Sequence, residues 1–81
     1  MIITKVKFQT QHLFSSHEVT NFQVTASIAY VDGMEIDGTS NFQVPLGSSE
    51  KVIKEALKKA ENTAFNVALD LTSTLIEDSK N

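Results

Sequence analysis

Two histidines, His12 and His17, and the adjacent Glu18 are the first residues of the chain whose types could hold a metal ion. Their spacing works against it. Residues five apart share neither a helix face, where neighbours recur every three or four, nor a strand face, where they recur every two. The chain has no further histidine and no cysteine, so the common zinc ligand sets cannot be assembled. A solvated loop is the expected setting, and no metal is expected. Asp32, Glu35, Asp37 and Gly38 have the composition of a calcium loop, which needs ligands at its first, third and fifth positions, glycine at the sixth and glutamate at the twelfth. Placing Gly38 sixth puts Gly33 first and Val44 twelfth, so the pattern fails. Serines are plentiful, but none sits in G-x-S-x-G, and the glycines at 33, 38 and 47 cannot form a phosphate-cradling loop. The expectation is a non-enzymatic protein without catalytic residues or cofactors.

Charge offers one further candidate. Lys51, Lys54, Lys58 and Lys59 form a basic patch that could meet an acidic partner or nucleic acid. Glu50, Glu55 and Glu61 interleave with them, which favours a solvated face. The net charge is −3, and all 7 basic residues are lysine. Without arginine there is no planar fork for bidentate phosphate or guanine contacts, so nucleic acid is disfavoured as a partner. Lysine without arginine also suits an AT-rich genome, such as that of a phage or mobile element. No stretch approaches the ~20 apolar residues of a membrane-spanning helix. The opening residues lack the apolar core of a signal peptide, so a cytoplasmic protein is expected.

The elements that position these residues fall into two halves. From Phe22 the apolar residues alternate through Val24, Ala26, Ile28 and Tyr30, the pattern of a half-buried strand. A second alternation runs through Met34, Ile36, Phe42, Val44 and Leu46. A shorter one opens the chain with Ile2, Val6 and Phe8 opposed to Lys5, Lys7 and Gln9. Asp32-Gly33 marks a hairpin between the second and third strands. A two-residue turn there would set Tyr30 against Glu35. A three-residue loop over 31–33 instead sets Tyr30 against Met34, Ile28 against Ile36 and Phe22 against Phe42, with Gly33 left-handed. The second register keeps every even-numbered apolar residue on one face and is the expected one. Gly38 marks a bulge or a close approach, and Pro45 an edge or strand end. Residues 10–20 read either as a loop or as the tip of a long hairpin. Pairing about Ser15 would set Phe8 against Phe22.

From Ser48 the period changes. Ile53, Leu57, Ala60, Ala64, Ala68, Leu71 and Leu75 step by three or four along one face, an amphipathic helix with a capping serine in Gly47-Ser48-Ser49. A second apolar row, Phe65, Leu69 and Ile76, flanks this stripe. A three-stranded sheet has room for one such stripe, so the second row is the candidate interaction patch. The expected fold is α+β: one domain over 1–81, a three-stranded antiparallel meander with strands over about 2–9, 21–31 and 34–46. One long C-terminal helix over about 49–77 packs on one sheet face.

The order strand–strand–strand–helix, with Gly47-Ser48-Ser49-Glu50-Lys51 and Ala56-Leu57-Lys58-Lys59-Ala60, resembles the C-terminal part of a double-stranded-RNA-binding domain. That resemblance implies contact with duplex RNA at the helix start. The chain has Glu50-Lys51-Val52 where that family carries a Lys-Lys-x-Ala-Lys cluster, and a strand where the family has an N-terminal helix. The segment 47–57 equally resembles the strand-to-helix joint of small antitoxins of the HicB type. Each resemblance covers less than half the chain, and neither is taken as membership. The expected function is therefore a protein-interaction or accessory module, self-associating through its helix or sheet edges. A small nucleic-acid-binding module is the alternative.

Overall fold

A computed structural model describes residues 2–80, and the side chains of residues 2–76. Strands β1 (Ile3–Ser15), β2 (Val19–Tyr30) and β3 (Glu35–Pro45) form an antiparallel sheet in the order β1-β2-β3, followed by helix α1 (Glu50–Lys80). This is the α+β arrangement expected from the sequence.

The second hairpin has the expected register. Ile28 pairs with Ile36 and Phe22 with Phe42, whose rings stack with centroids 5.1 Å apart. Tyr30 N donates to Met34 O, Gly33 N donates to Tyr30 O, and Gly33 has φ 90°. No atom lies within 4 Å of a β-carbon built at Gly33, so its requirement is for backbone conformation alone. Gly33→Ala is expected to cost about 1 kcal/mol, and Gly33→Asn less, because asparagine tolerates the left-handed region. Urea midpoints of the two variants check this.

The first hairpin differs from expectation. Val6 pairs with Ile28, Phe8 with Ala26 and His12 with Phe22, so β1 has slid four residues along β2. The slide preserves parity, and even-numbered residues still share a face. It moves the turn to Ser16–Glu18, where Ser16 Oγ accepts from Glu18 N at 3.3 Å and Val19 N at 3.2 Å. That hydroxyl satisfies two turn donors, which lets Thr10–Ser15 extend as strand where a loop was one reading. Leu13 is the extra residue of a bulge between His12 and Phe14.

Helix α1 begins where Ser49 caps it, with Val52 N donating to Ser49 Oγ at 3.4 Å. Its buried line is Ala60, Ala64, Ala68 and Thr72, packed over Val24, Ala26, Ile28, Tyr30 and Ile36. Gly38 lies directly beneath. A β-carbon there would fall inside 3.0 Å of Ala64 O and Ala68 N, so the glycine marks a close approach, and the β2–β3 register runs past it unbroken. Leu71 and Leu75, expected in the core stripe, are 46% and 50% exposed. A line of residues four apart is inclined to the helix axis, and α1 crosses a twisted sheet along that line. The contact therefore drifts from Leu57 and Ala60 to Thr72, and Leu71 and Leu75 rotate off the sheet.

Candidate interaction surface

The footprint of α1 decides which part of the sheet stays open. The helix packs on β3 and β2, and β1 lies outside it. Gly38 of β3 sits under Ala64 and Ala68, and Tyr30 of β2 reaches Thr72. Thr72 Oγ1 donates to Ala68 O at 2.9 Å, so the Tyr30 hydroxyl, 2.9 Å away, is the donor to Thr72. These contacts fix the rotation of the helix. The flank carrying Phe65 and Leu69 looks over β2 toward β1, while Leu71 and Leu75 hang beyond β3.

Every residue of β1 is exposed. On the face shared with α1 it presents Val6 at 39% and Phe8 at 41%, then Thr10 and His12. His12 stands edge-on to Phe22, with centroids 5.4 Å apart, and its Nε2 lies 3.1 Å from Ser15 Oγ. Lys5, Lys7, Gln9 and Gln11 occupy the other face. The outer edge of β1 is open as well. Val31 N donates to Ile2 O and Tyr30 N to Met34 O, so odd-numbered residues of β2 bond toward β1 and even-numbered ones toward β3. Antiparallel alternation then turns the backbone N–H and C=O groups of Val6, Phe8, Thr10 and His12 away from the sheet.

The candidate patch Phe65, Leu69 and Ile76 is half-buried. Phe65 packs against both core clusters and Leu69 against the one around Ile28. Of the basic patch, Lys51, Lys54, Lys58 and Lys59 are all exposed, and Lys54 Nζ lies 3.8 Å from Glu50 Oε1. A shallow depression of about 460 Å³ is lined by Glu50, Lys51, Lys54, Glu55 and Lys58. All five belong to one helix, so nothing faces them across the depression.

Among the described residues no group of three or more acidic or histidine side chains is placed to hold a metal ion. No helix among them is long and apolar enough to cross a membrane. The sheet edges were expected from the sequence as a route to self-association, without a choice between β1 and β3. The signal for an uncovered strand was there: three strands each carry an apolar face, and one helix cannot cover three. The chain matches no protein-family model, no curated protein and no solved structure.

Proposed function

We propose that the chain is a non-enzymatic protein-interaction module that self-associates, with β1 carrying the contact. The supporting observation is the uncovered strand. A 13-residue edge strand with an apolar face and an open hydrogen-bonding edge is a template for pairing with another chain. The molecule's size agrees. Its accessible surface is 5753 Å², against about 4,800 Å² for a folded monomer of 8.9 kDa. Its radius of gyration is 15.1 Å, against about 12 Å for a compact domain of this length. The excess surface, about 900 Å², is close to the roughly 800 Å² that each partner buries in a standard interface.

The test is solution mass of the purified chain by sedimentation equilibrium. A multiple of 8.9 kDa at micromolar concentration is the expected result. A monomer at 100 µM, together with a salt-sensitive shift of duplex RNA, would favour the nucleic-acid alternative instead.

A further inference from the structure

We infer that the partner of β1 is the β1 strand of a second copy, paired antiparallel about a two-fold axis at Phe8. This rests on the self-association proposed above and names its surface and register. The two edges of the sheet are unlike. β3 lies under the helix, carries Glu35 and Asp37, and ends in Pro45, features that discourage pairing. β1 has no acidic residue and no proline, and it is regular between the bulges at its two ends, from Lys5 to His12. Its outward N–H and C=O groups belong to Val6, Phe8, Thr10 and His12, so bonded pairs between two copies must join even-numbered residues.

The lysines choose among the registers. An axis at residue 5, 6 or 7 sets Lys5 or Lys7 opposite a lysine of the second copy, which directly opposed like charges disfavour. An axis at Phe8 sets Lys7 against Gln9 and Lys5 against Gln11, with Val6 against Thr10 and Phe8 against Phe8. Axes at Phe8 and Gln9 use equal lengths of the regular stretch of β1, 5–11 and 6–12, and axes further along use less. The axis at Phe8 brings the two Phe8 side chains together, where one at Gln9 sets Phe8 against Thr10. The product is a continuous six-stranded antiparallel sheet, β3-β2-β1-β1-β2-β3. Both helices lie on one face, and the two edges able to pair are consumed. An isologous contact of this kind closes on itself and stops at a dimer.

Proline and cysteine scanning of the full chain tests the register. Residue 10 directs its N–H outward, so Thr10→Pro removes no bond to β2 but blocks the edge. The expected result is a folded monomer, with the dimer dissociation constant raised by at least about 100-fold, since two symmetry-related bonds and the strand approach are lost. Lys7 and Gln9 face each other as a non-bonded pair, the geometry in which β-carbons come closest. The chain has no cysteine of its own. Lys7→Cys combined with Gln9→Cys should therefore give a covalent dimer on mild oxidation, faster than either single variant. A wild-type monomer overturns both the self-association reading and this inference. A wild-type dimer that survives Thr10→Pro overturns the inference alone. Should Thr10→Pro fail to fold, the cysteine variants decide: faster trapping by Gln9→Cys alone moves the axis to Gln9, and no trapping by any of them removes β1 from the interface.

Discussion

Gly38→Ala is expected to destabilise the protein by about 3 kcal/mol, far more than its single methyl group suggests. The added β-carbon would lie inside 3.0 Å of Ala64 O and Ala68 N. Both are helix backbone, tied to the rest of α1 by its hydrogen bonds, and neither can rotate aside as a side-chain tip does. The strand cannot withdraw either, because Gly38 pairs with Ala26, itself fully buried beneath the same helix. Relief requires α1 to lift from β3, loosening Ala60, Ala64 and Ala68 together, which places the cost at the upper end of overpacking effects. With a urea m-value of about 1 kcal/mol/M for a domain this small, the midpoint should fall by about 3 M. A fall of less than about 1 M would mean that the helix does not approach the strand this closely. Gly33 gives the contrast, since its cost comes from backbone conformation with no neighbour in reach.

Parity was the legible part of the fold. Alternation over 22–30 and 34–46 assigns each side chain to a face, and only one loop length at Asp32-Gly33 keeps Ile28, Ile36, Phe22 and Phe42 together. Gly33 was legible as a left-handed turn position and Gly38 as a bulge or a close approach, of which the structure has the close approach. The first hairpin was not fixed in this way. A slide of two or four residues leaves every face intact, so the pattern cannot rank such registers, and the deciding contacts are those of the Ser16 hydroxyl with the turn. The helix stripe was legible where it is alanine and not beyond Ala68. Steps of three and four fit both a line parallel to the helix axis and one inclined to it, and the crossing angle that separates Leu71 from Thr72 belongs to the sheet twist.

The imbalance of apolar surface was legible in kind but not in place. Two apolar rows on the helix implied more helix surface than one sheet could cover. The helix instead settles over β2 and β3 and leaves the third strand bare. Small residues cause this. Ala26, Gly38, Ala60, Ala64 and Ala68 let the helix sink onto the two inner strands. A helix seated that deep spends the long side chains of its β1-facing flank, Phe65 and Leu69, on the core clusters over the inner strands. The depth of seating that stabilises the core is what exposes the strand.

The same seating predicts opposite behaviour for the two apolar pairs on α1. Phe65→Lys with Leu69→Lys replaces two half-buried side chains packed on the core clusters. Each exchange should cost about 2 kcal/mol, the lower part of the range for burying a large apolar side chain. The sum, about 4 kcal/mol, approaches the whole stability of a domain of 81 residues at the low end of the usual range. The double variant should therefore show little helical circular dichroism at 37 °C. Leu71→Lys with Leu75→Lys alters side chains that are 46% and 50% exposed beyond the edge of β3. That pair should stay within about 1 kcal/mol of wild type, as surface exchanges do, and with β1 carrying the contact it should keep the wild-type mass. A folded Phe65/Leu69 variant that has lost its association would make that row a true interface and not core. A folded Leu71/Leu75 variant that turns monomeric would move the contact to the outer flank of the helix, above β3. Melting curves and sedimentation of the two variants side by side separate these cases, because stability and mass change independently in each.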